Sequence, residues 1–188
     1  MKSLRLHATE PASRANGPGL RAVVWFQGCT LGCPGCFNSH THPPDAGMTT
    51  DTASLAATIL TSPEGITGVS ISGGEPYQQP EALLDLLIRL HGSGLSRLVF
   101  SGYTIKEIEA QPLGPAILTH LDVLIAGRYV QTRHHGHDLL GSSNQRIHLL
   151  TGRHAMEEFE GIPTTEIILR PDGSITLTGV APARFPDA

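Results

Sequence analysis

The sequence predicts an α/β fold built on a mainly parallel sheet. Three observations carry this. Short apolar runs alternate with amphipathic helical stretches, Gly-bearing loops follow four of those runs, and Pro, Gly and capping residues punctuate the boundaries. Residues 20–27 (LRAVVWFQ) read as a buried strand. Residues 51–61 read as a helix turning Leu55, Ala56, Ile59 and Leu60 to one side, and residues 67–72 (TGVSIS) as the next strand. Pro80 opens a second helix, where its missing N–H is harmless. Leu83, Leu84, Leu87 and Ile88 form its inward stripe, and Gly92 stops it. Residues 96–101 (SRLVFS) form a strand, and Thr104 with Glu107 sets a capping box for the helix that follows. A helical piece over 115–120 leads to the strand 121–126 (LDVLIA), and 145–150 adds another. Residues 165–169 and 174–178 flank Pro171, Asp172 and Gly173, a hairpin turn. No repeat, low-complexity tract or linker interrupts this order, and 188 residues suit one domain: a core over about 5–150 and an extension over 151–188.

Composition narrows the function. A net charge of −4 and no Lys/Arg block argue against a nucleic-acid surface or a membrane patch. The start, MKSLRLHATE, lacks the apolar stretch of a signal peptide, and no run is long enough to span a bilayer. The chain therefore reads as cytoplasmic. In that compartment thiols stay reduced, and clustered cysteines more often bind metal or catalyse than form disulfides.

All three cysteines fall in one run, GCTLGCPGCFN, as Cys29, Cys33 and Cys36. No fourth cysteine exists to close a cluster. Three thiolates can hold three irons of a [4Fe–4S] cube, which leaves the fourth iron open, much as a catalytic zinc keeps a free position. The spacing C-x3-C-x2-C can wrap one corner of a compact cluster, and Gly28, Gly32 and Gly35 permit the positive φ that such a loop needs.

Parallel α/β folds place their chemistry at the carboxyl ends of the strands. Here the cysteine loop follows the first predicted strand, Gly73 to Pro76 the second, Gly102 to Thr104 the third, and Gly127 to Tyr129 the fourth. Four Gly-bearing loops on one rim point to a single site.

C-x3-C-x2-C followed by the aromatic Phe37 resembles the signature of the radical S-adenosylmethionine (SAM) superfamily. Within it the chain resembles the activating proteins of anaerobic ribonucleotide reductase and their single-cluster relatives. The matching stretches are NGPGLR (16–21), WFQGCTLGCPGCFN (25–38), SGGEP (72–76), FSGYT (100–104), DVLIAGRYV (122–130) and GSSNQRIH (141–148). The resemblance implies an incomplete, curved β/α barrel. It implies a [4Fe–4S] cluster on Cys29, Cys33 and Cys36, with SAM chelated at the open iron. One electron then cleaves the sulfonium to methionine and a 5′-deoxyadenosyl radical, which abstracts a hydrogen from a glycine of a partner glycyl radical enzyme. By the same resemblance Gly35, Cys36 and Phe37 line the SAM site, with Phe37 near the adenine. Ser72, Gly73, Gly74, Glu75 and Pro76 meet the methionine end, and Ser101, Gly102 and Tyr103 lie near the ribose or methionine. No protein side chain is expected to act as a catalytic group, because cluster and SAM carry the chemistry. The expected partners are anaerobic ribonucleotide reductase and an electron donor, a flavodoxin or ferredoxin.

Plainer readings stand beside these. His40 follows Cys36 at x3, so a Cys3His zinc site is a competitor, and so is an electron-transfer cluster with His40 or His42 as fourth ligand. A radical SAM enzyme acting on another peptide or a small molecule is the further alternative. Gly73 and Gly74 also suit a tight turn, Glu75 a helix cap, and Tyr103 ordinary packing. Trp25 reads as core. Arg21 suits either a carboxylate partner or a substrate contact. His134, His135 and His137 read as a solvated polar loop rather than a metal site.

Overall fold

The computed structural model describes residues 2–180. Its centre is a seven-stranded mixed sheet in the order β3-β1-β2-β4-β5-β6-β9. The strands β2 (Arg21–Phe26), β4 (Gly68–Gly73), β5 (Ser96–Ser101) and β6 (Val123–Ala126) run parallel and adjacent. These are the four apolar runs that the sequence marks, and their near-continuous burial is what a sheet covered on both faces requires. Antiparallel strands flank them: β1 (Ser3–Ser13) beside β2, β3 (Met48–Asp51) beyond β1, and β9 (Arg146–Leu149) on β6.

Strands β1 and β3 are additions to the predicted elements. β1 hides because its second half, HATEPAS, is polar and contains a proline, and its pairing with β2 is broken by two register shifts. β3 is four residues long and mostly exposed, so it has no apolar signature.

The helices α1 (Thr52–Leu60), α2 (Pro80–Arg89), α3 (Ile105–Glu109) and α4 (Gly114–Leu118) form a chain of neighbours, α1 on α2, α2 on α4 and α4 on α3. Asp51 caps α1 by accepting from the Ala53 and Ser54 amides. Thr104 and Glu107 close the expected capping box on α3. The main core joins Leu55, Ile59, Leu83, Leu86 and Leu87 to Val24, Phe26, Ile71, Val99 and Leu124 of the sheet. Two expected inward residues face solvent instead: Leu60 is 51% exposed and Ile88 49%. Leu86 takes the inward place on α2. The contact stripe is narrower than the apolar pattern, and each outlier sits in the last turn of its helix, where the helix ends against solvent.

A smaller second core covers another part of the sheet, with Leu98, Val123 and Ile125 against Leu139 and Phe159. Strands β7 (His134–His137) and β8 (Leu140–Ser142) form one hairpin, and β10 (Glu166–Leu169) and β11 (Ile175–Thr178) another. The β10–β11 pair stays separate from the edges of the main sheet. It is fastened to the end of β1 by polar contacts: Glu166 accepts from the Ser13 hydroxyl and the Arg14 amide, Asn16 donates to Thr178, and Arg170 pairs with the buried Glu10.

Arg21 resolves its two sequence readings by being neither. It is fully buried and spans three strands, donating to Ser70 Oγ at 2.7 Å, Ser96 Oγ at 2.7 Å and the carbonyls of Pro18, Val69 and Ser96. Burial lowers its pKa to about 10. Gly68 makes room for it, since a Cβ there would lie 2.4 Å from the guanidinium.

Candidate metal centre

The site forms where β2, β4, β5 and β6 end. Cys29, Cys33 and Cys36 are half-buried free thiols in the loop after β2. Backbone hydrogen bonds fix this loop from outside: Gly28 N–H donates to Thr41 O at 2.7 Å and Cys29 N–H to His42 O at 3.0 Å. Gln78 clasps Thr30 from the next loop, accepting its amide and donating to its hydroxyl. Burial pushes the Cys29 and Cys36 thiols up, so a cation is what would favour their thiolate forms.

The loop after β4 lies hard against the cysteine loop. Gly74 N–H donates to Phe26 O at 2.8 Å and Glu75 N–H to Gly28 O at 2.9 Å. A Cβ on Gly74 would sit 2.2 Å from Gly28 O, and one on Gly73, whose φ is +104°, 2.4 Å from Phe26 N and O. The two glycines are therefore required by backbone-to-backbone packing, whatever ligand they meet.

Glu75 is 1% exposed, and it caps the short turn over 76–78 rather than the helix at Pro80. Its Oε1 accepts from Tyr77 N–H at 3.0 Å and from the Ser101 hydroxyl at 2.9 Å, and its Oε2 from Gly102 N–H at 2.8 Å. Burial pushes its carboxyl up to about 7 against the pull of these donors. The carboxylate thus joins the second rim loop to the third. The third joins the fourth through Arg128, which pairs with Glu107 at 2.8 Å and lies over the Tyr103 ring.

A cavity of about 110 Å³ opens on this rim. Of the residues expected at the site, Cys29, Cys33, Cys36, Phe37, Ser72, Gly73, Gly74, Glu75, Ser101 and Gly102 line it. Gly35, Pro76 and Tyr103 stand outside the lining. Gly35 backs onto the Gln131 side chain, Pro76 is buried in the turn, and Tyr103 packs against the main core and meets Gln78 through its hydroxyl at 3.1 Å. A second cavity of about 300 Å³ adjoins the first and shares Phe37, Asn38, Ser72, Phe100 and Val180 with it. Trp25, expected in the core, is half-buried and lines that second cavity.

Three further wall residues, Tyr129, Gly141 and Gln145, come from stretches the sequence marks without giving them a role. Phe37 meets Tyr129 edge-on at 5.9 Å, and Gly141 fits between them, where a Cβ would come within 3.1 Å of Phe37. Gln145 holds this corner, accepting from the Gly141 and Ser142 amides and donating to Gly127 O at 2.8 Å. The stretch GSSNQ flags these positions, but their task depends on β6 and β8 meeting in space.

The donors suit a cluster. His40 faces His7, ring centroids 4.8 Å apart, and lines the adjoining cavity, whereas His42, the other residue named as a fourth ligand in the electron-transfer reading, lines the cysteine cavity itself. Three free, half-buried thiols on one loop are the donors that three irons of a cube require.

Comparison with known proteins agrees. Residues 15–148 match the family described as a 4Fe-4S single cluster domain. An anaerobic ribonucleoside-triphosphate reductase-activating protein of Salmonella typhi is 31% identical over 162 residues, covering 78% of this chain and 99% of that protein. The chain belongs to the radical SAM activase family. The like-named protein of Escherichia coli K12 is 30% identical over 157 residues, again covering 78% of this chain and 99% of the relative. A pyruvate formate-lyase-activating enzyme of Clostridium pasteurianum is 32% identical over 126 residues, covering 64% of this chain and 50% of that enzyme. As a member of the family the protein uses a [4Fe–4S] cluster and SAM, and the cysteine cavity has the donors for the cluster.

Proposed function

We propose that this activase generates a glycyl radical on an anaerobic ribonucleoside-triphosphate reductase. The observation that carries the reading is the convergence of three free thiols, the Gly73–Glu75 backbone and the Phe37–Tyr129 corner on one cavity. Cys29, Cys33 and Cys36 would hold three irons, and the cluster, when bound and reduced, would supply the one electron that reductive cleavage of SAM requires.

The chain's own residues orient and shield. Backbone of Gly73 and Gly74, held by Phe26 and Gly28, presents carbonyls to the methionine ammonium group. Glu75 keeps Ser101 and Gly102 in place beside it. Phe37 and Tyr129 offer aromatic surface to the adenine, while Gln145 keeps their corner closed. These contacts would orient SAM against the cluster, which is the protein's share of the rate. Gly35, Pro76 and Tyr103 contribute to the same site from behind its wall.

In this reading the chain is one domain, and its curved sheet forms a partial barrel whose open side admits a protein substrate. It works in the cytoplasm with a flavodoxin or ferredoxin as reductant. Among the described residues no helix is long and apolar enough to cross a membrane.

The test is electron paramagnetic resonance. Reconstituted protein, SAM, a reductant and the anaerobic reductase should together yield a glycyl radical signal that needs all four. SAM cleavage with no signal on the reductase would assign the enzyme another substrate.

A further inference from the structure

The β7–β8 hairpin carries the sequence HHGHDLLGS, which the radical chemistry leaves unused. Its turn residues Asp138 and Leu139 both have positive φ, 50° and 63°. Two-residue hairpin turns of this hand favour Asn-Gly or Asp-Gly, so a leucine at the second position is strained. Leu139 is held there by its side chain, which is 2% exposed, belongs to the second core and lines the cysteine cavity.

This turn and the positive φ of Gly136, 69°, draw polar groups together on the hairpin. The rings of His135 and His137 approach to 3.4 Å between centroids. Asp138 Oδ2 and His137 Nδ1 are a hydrogen-bonded pair at 2.6 Å, which leaves His137 Nε2 as the ring nitrogen open to an ion. One ligand atom from each of His135, His137 and Asp138 lies within 4.8 Å of the other two.

We infer that His135, His137 and Asp138 form a binding site for a divalent transition-metal ion of the zinc class. Two imidazoles and one carboxylate are a donor set for zinc and its neighbours, whereas magnesium and calcium take oxygen ligands. Three protein ligands leave a position for water, so the ion is exchangeable rather than a closed structural one. The site differs from the cysteines in donor type, and His135, His137 and Asp138 are outside the lining of the cysteine cavity. An ion there ties strand β7 to its turn and so stiffens the wall that Leu139 and Gly141 contribute to the cavity. The histidine loop is solvated, as the sequence suggests, with the His137 side chain 52% exposed, and Gly136 and the Asp138–Leu139 turn still gather side chains that a fully extended strand would spread.

Thiolates also take zinc, so the test removes them. The full chain with Cys29→Ser, Cys33→Ser and Cys36→Ser is equilibrated with zinc chloride and dialysed, its fold checked by circular dichroism. It should retain one zinc per chain. Adding His135→Ala and His137→Ala should abolish retention, and Asp138→Asn should weaken it by roughly 10–100-fold, at least the loss of an outer-shell partner. If the serine background does not fold, cluster-loaded protein and its His137→Ala variant are compared by elemental analysis, zinc being counted apart from iron. No zinc retained by the folded wild-type hairpin, or retention unmoved by the histidine substitutions, overturns the assignment.

Discussion

Glu75 Oε2 accepts the Gly102 N–H at 2.8 Å, so a buried carboxylate on the loop after β4 holds the loop after β5. Three donors converge on that one group, all of them uncharged. Its removal leaves the Ser101 O–H and the Tyr77 and Gly102 amides without their acceptor. Glu75→Ala should destabilise the fold by about 3 kcal/mol and lower SAM cleavage in whatever protein remains folded. Denaturant melts with a cleavage assay on the same samples check both.

The same carboxyl gives a pH signature with a definite sign. Burial raises it from 4.5 to about 7. Between those values the unfolded chain loses the proton first, so the folded state binds more protons and stability falls as pH rises. The shift corresponds to about 3 kcal/mol at most. His40, His120 and His148, whose pKa burial lowers, contribute the opposite slope. Urea denaturation of cluster-free protein between about pH 4.5 and about pH 7 should therefore give the wild type a more negative slope than Glu75→Gln. Equal slopes in the two proteins would place the titration elsewhere.

Arg21 separates structure from chemistry. Five hydrogen bonds fix it behind the sheet, away from the cysteines. Arg21→Ala should cost about 3–5 kcal/mol, the range for stripping one partner from a buried polar network. Iron content per folded molecule should not change. A variant of normal stability that fails to cleave SAM would instead put Arg21 at the substrate.

Two glycines should differ sharply. A Cβ on Gly74 meets Gly28 O at 2.2 Å, whereas one on Gly32 meets nothing within 4 Å and Gly32 has only its φ of +60° to accommodate. Gly74→Ala should cost about 3 kcal/mol and deplete the cluster. Gly32→Ala should cost about 1 kcal/mol and keep it. Thermal melts and iron analysis of the pair read both quantities.

Much of this site is visible in the sequence, and the reasons are physical. The parallel strands are short apolar runs, and the loop after β4 opens on Gly73 and Gly74 because it touches the cysteine loop backbone to backbone. The part that stays hidden depends on tertiary placement. β1 carries polar residues such as Glu10 and Ser13, which are buried only because β10 and its neighbours supply Arg170 and Glu166. Gln145 joins two loops 18 residues apart, a role no local pattern encodes. Tyr103 sits in a motif near the site, yet packs behind it.

Gln145 therefore offers a test of the wall itself. Gln145→Ala removes three hydrogen bonds from the Gly141 corner while touching no cysteine. The KM for SAM should rise about tenfold, about 1.4 kcal/mol, with cluster content unchanged. An unaltered KM would remove the Phe37–Tyr129 corner from SAM binding.

The central claim is that three cysteines hold the cluster and leave one iron free for SAM. Its most direct measurement is 5′-deoxyadenosine release from anaerobically reconstituted protein given SAM and dithionite. The wild type should release it together with methionine, and folded Cys33→Ala should release none. A reconstituted wild type that binds four irons per chain but yields no 5′-deoxyadenosine, or a Cys33→Ala variant that still yields it, would contradict the account.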